Sequence, residues 1–145
     1  MYDPSRNELF TAVRGQGAFR DGRRIVVSDI GNMADAVLGS GFPHGATTRD
    51  PVMERILGEC AIRARGVRRL GSAALDLCYV ACGRMDGFWD KNLKPWDMAA
   101  GALIVAEAGG TLTALDGGTF NLYGGQVLAT NGRLHEGIAG IVRGQ

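Results

Sequence analysis

Between residues 8 and 13 apolar and polar side chains alternate loosely, the period of a half-buried strand, and Gly15-Gln16-Gly17 interrupts the pattern. An Asp21-Gly22 turn signal then introduces a second strand over residues 24–28, so the opening of the chain is expected to be β-rich. Residues 36–39 form a short apolar strand that ends in Gly39-Ser40-Gly41-Phe42-Pro43. From Pro51 the period changes. Pro51 suits the first position of a helix, and Val52, Met53, Ile56, Leu57, Cys60, Ala61 and Ala64 recur at helical spacing to about Arg65, where Gly66 stops it.

Residues 67–70 read as a short strand, after which Ser72 caps a helix carrying Ala73, Ala74, Leu77, Cys78, Val80 and Ala81 on an apolar stripe up to Gly83. A strand over residues 85–90 follows. Pro95 opens another helix that runs to about Glu107, Gly109-Gly110 closes it, and residues 111–115 return to strand. A polar loop at 116–119 precedes a strand at 127–130, and residues 135–142 suit a terminal helix. This alternation predicts a layered α/β domain with helices on the faces of a central sheet, a single domain over residues 1–145.

Composition narrows the picture. Apolar residues make up 46% and charged residues 21%, enough hydrophobic content for a packed core. Sixteen Lys and Arg against 15 Asp and Glu leave a net charge of +1, without the positive excess that long-range attraction to nucleic acid needs, so no nucleic-acid partner is expected. No run approaches the roughly 18 uncharged residues of a membrane-spanning helix. The start, Met1-Tyr2-Asp3-Pro4-Ser5-Arg6-Asn7-Glu8, lacks the basic and apolar regions of a secretory signal, and a cytoplasmic location is expected. Three cysteines, Cys60, Cys78 and Cys82, are expected as free, buried thiols. Glycine stands out at 23 of 145 residues, against a usual share of roughly 7%, and implies many tight turns or close backbone approaches.

Asp97 is the first candidate for chemistry. Pro95-Trp96-Asp97 places a carboxylate in the first turn of an apolar helix, where the helix dipole alone favours it by roughly 0.3–1 kcal/mol. The same carboxylate could instead hold a hard cation such as Mg2+, which takes one or two fixed carboxylates together with water and phosphate oxygens. Asp90 ends the preceding strand, and ligand sites in α/β sheets lie beyond such strand ends, so the two acids could share a cleft or Asp90 could be a solvated loop acid. Gly71-Ser72-Ala73-Ala74 occupies another strand-to-helix junction, able to offer backbone N–H groups and a hydroxyl to a polar ligand or simply to cap the helix. Arg68 and Arg69 precede it. Adjacent strand residues face opposite ways, so at most one of them reaches the cleft, and Arg68 is the one assigned to it.

Sharper motifs fail. Gly39-Ser40-Gly41 and Gly15-Gln16-Gly17 lack the third glycine of a dinucleotide fingerprint, with His44 and Arg20 in its place. Leu38 and Phe42 flank Gly39-Ser40-Gly41 where a nucleophile elbow needs glycines. Cys78 and Cys82 lie one helical turn apart, and neither His44 nor His135 has a partner at zinc spacing.

Three segments together resemble the inositol monophosphatase family: Leu70-Gly71-Ser72-Ala73-Ala74-Leu75-Asp76-Leu77, Asp86-Gly87-Phe88-Trp89-Asp90, and Pro95-Trp96-Asp97-Met98-Ala99-Ala100-Gly101 with Glu107-Ala108-Gly109-Gly110. The second signature of that family, W-D-x-A-A-G with a following E-A-G-G, is present in full. Tyr2-Asp3-Pro4, Glu8-Leu9-Phe10 and Gly15-Gln16-Gly17-Ala18-Phe19 resemble the middle of the family, so the likeness covers nearly the whole chain. The resemblance implies the fold of the family's C-terminal domain and Mg2+-dependent hydrolysis of an inositol phosphate or a related polyol or sugar phosphate. It makes Asp97 a metal ligand that also orients substrate, and Asp90, Ser72 and Ala73, beside Gly71, contacts of the polyol. Family members also carry a preceding half with a metal-binding glutamate and a D-P-x-D-G-T motif. Asp3-Pro4-Ser5-Arg6-Asn7 lacks the second aspartate and the Gly-Thr, and Asp90 stands where the family usually has glutamate, a shorter reach that bears on substrate preference. The chain is therefore expected to be an incomplete half of the enzyme, with a binding or assembly module as the alternative. An exposed strand edge near residue 1 is expected to be covered by self-association or by a chain that supplies the missing half.

Overall fold

A computed structural model describes residues 1–41 and 50–144. Phe42, Pro43 and His44, which figured among the motif candidates, lie outside the described residues. The chain begins with an antiparallel meander of β1 (Tyr2–Asp3), β2 (Glu8–Val13), β3 (Gly17–Arg20) and β4 (Arg23–Ile25). Asp21 and Gly22 both take positive φ, 51° and 75°, the two-residue turn whose twist matches a β-hairpin, and Arg20 pairs with Arg23 across it.

A second sheet has the order β6-β5-β7-β9-β8, built from β5 (Val37–Ser40), β6 (Gly66–Arg68), β7 (Gly87–Lys91), β8 (Thr111–Thr113) and β9 (Gln126–Thr130). Strands β6, β5 and β7 are parallel, as crossovers through α1 (Pro51–Arg63) and α2 (Ala73–Ala81) require; β9 runs antiparallel to β7 and β8. Helix α3 (Pro95–Glu107) joins β7 to β8, and α4 (His135–Arg143) ends the fold.

The single central sheet expected from the alternation is thus two sheets. Residues 1–25 make only short turns and pair locally, whereas a helix follows each of β5, β6 and β7. The expected strand at 24–28 stops at Ile25 because the chain then leaves the meander, and the Val27 N–H donates to the Ala108 carbonyl at the end of α3. Gly66 opens β6 rather than ending α1, whose C-cap is Ala64. The expected strand at 85–90 starts at Gly87, since Met85 and Asp86 donate their N–H groups to the carbonyls of Tyr79 and Val37.

Alternation along the central strands separates two cores. On β7, Phe88 and Trp89 are both fully buried yet belong to different clusters, as do Ala129 and Leu128 on β9. Phe88 and Ala129 pack with Leu77 and Val80 of α2, Met98 and Val105 of α3, and Phe10 and Ala18 of the meander. Trp89 and Leu128 pack with Met53 and Ile56 of α1 and Ile138 and Ile141 of α4. The layers are therefore meander, α2 with α3, five-stranded sheet, and α1 with α4.

Polar contacts fasten the meander to this stack. The Gly15 and Gly17 N–H groups each donate to the Glu107 carboxylate at 2.8 Å, which holds that acid below the usual carboxylate range. Arg84 donates to both oxygens of Glu8 at 2.6 Å, and its guanidinium and that of Arg6 stand 5.1 and 5.6 Å from the Tyr79 ring centre. The Tyr79 hydroxyl donates to Asp3 at 3.0 Å, and the Ser5 and Arg6 N–H groups donate to the other Asp3 oxygen. Asp3 is thus a turn and anchoring residue. His135 lies between the hydroxyls of Thr113 and Thr130 at 3.2 and 3.0 Å, and burial lowers its pKa.

All three thiols are free. Cys60 and Cys78 are buried and pushed up to about 12 by that burial, whereas Cys82 is only half-buried, which corrects the expectation of three buried thiols. Among the described residues no helix is long and apolar enough to cross a membrane.

Gly101 shows how closely α2 and α3 approach. Inside a helix it forgoes about 1 kcal/mol relative to Ala, but a Cβ there would lie 2.6 Å from the Leu77 Cβ. Gly101→Val is expected to cost about 1–3 kcal/mol by overpacking. Gly140→Ala, in α4 with open space around it, is expected to gain about 0.4–1 kcal/mol. Denaturant melts of both variants check the contrast, and an unchanged midpoint for Gly101→Val would contradict the packing of α2 on α3.

Candidate functional site

Because β5, β6 and β7 are parallel, their carboxyl ends open on one side of the sheet, where α2 and α3 also begin. A cleft of about 540 Å³ lies there. Its walls come from Ser40 and Gly41 after β5, Arg69 and Gly71 after β6, Ser72, Ala73, Ala74 and Asp76 at the start of α2, Asp90 to Leu93 around the end of β7, and Asp97 in the first turn of α3.

Each side chain has a local cause for its place. Gly71, with φ of +89°, turns the chain from β6 into α2, a conformation L-residues with side chains rarely adopt. Ser72 then caps α2, its hydroxyl accepting from the Leu75 N–H at 3.4 Å. Asp97 Oδ2 accepts from the Lys94 N–H at 2.8 Å and closes the first turn of α3. The capping role and the cleft-lining position of Asp97 therefore coexist, since that bond uses one of its two oxygens. Asp90 Oδ1 accepts from the Lys91 N–H at 2.7 Å. Gly41 makes room for it: a side-chain carbon at residue 41 would overlap the Asp90 carboxylate.

The cleft also holds what the motif pattern did not single out. Lys91 on its wall is ion-paired with Asp50, the cap of α1, and that ammonium with the Met53 N–H holds the Asp50 carboxyl below its usual range. Asp76 is only 3% exposed, its Oδ1 has no hydrogen-bond partner, and burial with the nearby Asp90 charge raises its pKa to about 7. Leaving a buried polar atom unpaired costs about 1–3 kcal/mol.

Five of the six expected site residues, Asp97, Asp90, Gly71, Ser72 and Ala73, come together in this cleft. Arg68 does not. It is the last residue of β6, and its guanidinium turns back to donate to the Val67 carbonyl at 3.1 Å, whereas Arg69, beyond the strand end, lines the cleft. Asp76 carried a readable signal: it lies four residues after the Ser72 cap, hence on the same helix face, and is a lone acid within an apolar stripe.

The acids of the cleft do not amount to a complete metal site. Among the described residues no group of three or more His, Cys, Asp or Glu could hold an ion, so a divalent cation bound through Asp97 needs further ligands.

Comparison with known proteins agrees with this geometry. A family model described as the inositol monophosphatase family matches residues 1–145. An inositol-1-monophosphatase of Mesorhizobium japonicum is 47% identical over 131 residues, covering 90% of this chain and 49% of the relative. The Nus factor SuhB of Escherichia coli is 46% identical over 138 residues, covering 92% of this chain and 50% of the relative. Among solved structures, the extragenic suppressor protein suhB of Bartonella henselae superposes with a TM-score of 0.93 at 42% identity, covering 98% of this chain and 54% of that one. A staphylococcal phosphatase, SaIMPase-II, solved with inositol monophosphate bound, superposes with a TM-score of 0.83 at 30% identity, covering 95% and 54%. The chain spans about half the length of these relatives, and Mg2+ is the metal typical of their family. With the family model matched from end to end, the chain belongs to the inositol monophosphatase family.

Proposed function

We propose that this chain binds an inositol phosphate, or a related polyol or sugar phosphate monoester, and forms the substrate-side half of a Mg2+-dependent phosphatase. The observation that carries the proposal is the convergence of the α2 and α3 starts with Asp90 and Asp97 on one cleft. Leading N–H groups of a helix have no partner within it and attract hydroxyl or phosphate oxygens, which suits Ala73 and Ala74 to the ligand. The Asp90 and Asp97 carboxylates accept hydrogen bonds from ligand hydroxyls, and Arg69 brings positive charge to a ligand that carries negative charge. Mg2+, when bound, supplies charge neutralisation at the phosphate. Asp97 offers it one carboxylate, and the described residues supply no group of three acids, histidines or cysteines to complete the site. A partner that completes the site, a second chain or another copy of this one, belongs to the same proposal.

A non-catalytic binding or assembly module is the less favoured reading, because an assembly surface has no need of two carboxylates and two helix starts around one cleft.

Calorimetric titration with inositol 1-phosphate, with and without Mg2+, tests the proposal. Binding is expected to depend on Mg2+ and to weaken roughly tenfold or more in Asp97→Asn, a change that keeps the acceptor for the Lys94 N–H while removing the charge. Equal binding by Asp97→Asn would contradict the role of Asp97. Gly41→Ala supplies a second check: its methyl displaces the Asp90 carboxylate and is expected to weaken binding by about tenfold while leaving the α2–α3 core untouched. Unchanged affinity in Gly41→Ala would place Asp90 outside the ligand's reach.

A further inference from the structure

Asp76 is an acid on the cleft wall whose chemistry the proposed function leaves unused. It lies one turn into α2 and lines the cleft together with Asp90 and Asp97. Its carboxyl makes no hydrogen bond to any described residue, with Oδ1 sealed from solvent and unpartnered. A structural acid at this depth would be expected to hold a backbone N–H or a basic side chain, as Asp3 and Asp86 do in the same molecule. Asp76 holds neither. Its burial and the neighbouring Asp90 charge raise its pKa to about 7, so its protonated form is well populated near neutral pH.

We propose that Asp76 is a specificity-determining residue of the polyol site, its Oδ2, the carboxyl oxygen that is not sealed, donating a hydrogen bond to a ligand hydroxyl that in turn donates to Asp90. The inference rests on the polyol phosphate reading above. An alcohol is donor and acceptor at one oxygen. A carboxylate satisfies only its donor side, and a neutral carboxyl beside that carboxylate satisfies the other. The pair therefore recognises a hydroxyl group and disfavours both an apolar substituent, which leaves the buried Asp76 carboxyl unpaired, and a second anion, which meets the Asp90 charge. This orientation places Asp76 at the end of the cleft that takes the polyol and not the phosphate.

Two variants and one direct observation test it, all with inositol 1-phosphate and Mg2+. Asp76→Asn keeps a donor at the same place and is expected to bind within about threefold of the unaltered chain. Asp76→Leu removes the donor at similar volume and is expected to bind roughly tenfold more weakly. The melting temperature of Asp76→Leu is expected to stay level or rise, because an unpaired buried carboxyl gives way to an apolar group. In the unaltered chain, the carboxyl carbon resonance of Asp76 is expected to shift on ligand addition, a measurement that does not depend on either variant folding. If the ligand binds while Asp76→Leu retains full affinity, or while the Asp76 resonance stays fixed, the role of Asp76 is overturned and the function proposed above stands. A loss in Asp76→Asn equal to that in Asp76→Leu would also overturn the donor role. If the unaltered chain binds no inositol 1-phosphate, the broader reading falls and takes this inference with it.

Discussion

The close packing of α2 against α3 sets the geometry of everything near the cleft. Both helices lie between two sheets, with Phe10 and Ala18 of the meander on one side and Phe88 and Ala129 of the central sheet on the other. Confined in this way they meet each other directly, and Gly101 lets the Leu77 side chain approach the α3 backbone. Their first turns consequently lie together at one end of the layer, where Ser72 and Ala73 face the same cleft as Asp97. Neither helix would place its start so exactingly on a flexible loop; packing density inside a protein core turns a shift at Leu77 into a shift at the cleft.

The meander contributes by covering this helix pair. Its attachments are polar and lie away from the cleft: Glu107 at the far end of α3 accepts from the Gly15–Gly17 turn, and Arg84 beyond the end of α2 grips Glu8 on β2. Asp3 completes the fastening through the Tyr79 hydroxyl. These groups are satisfied by hydrogen bonds, whereas Asp76 is buried and unpaired. The contrast separates the two uses of acidic residues in one small fold, those that bind backbone and side chains into a layer and those left available to a ligand.

Much of this was legible in the residue pattern. Pro95 at a first helical position and Gly109-Gly110 after the last turn define α3 as Pro95–Glu107, and Ser72 marks the start of α2. The meander was less legible beyond β2, because strands of two to four residues give too few alternations to separate one from the next, and β3 went unrecognised after Gly15-Gln16-Gly17. The two-sheet layering was hidden for a related reason: periodicity reports which residues are buried but not against what. Arg68 and Arg69 show the limit at a single residue, since alternation says that they diverge while the strand's end point decides which one reaches the cleft. Asp76 was legible as a lone acid one turn after the Ser72 cap, but a stripe of Ala, Leu and Cys residues marks a core-facing surface and does not tell that its start lines a cleft.

The central claim, that the α2 and α3 starts together with the end of β7 form a polyol phosphate site, is tested most directly by mapping backbone amide resonances while inositol 1-phosphate is added with Mg2+. Shifts are expected to concentrate at residues 71–76, 90–93 and 97, with the meander amides of residues 8–20 unmoved. Shifts gathered on the meander instead, or none at any ligand concentration, would contradict it.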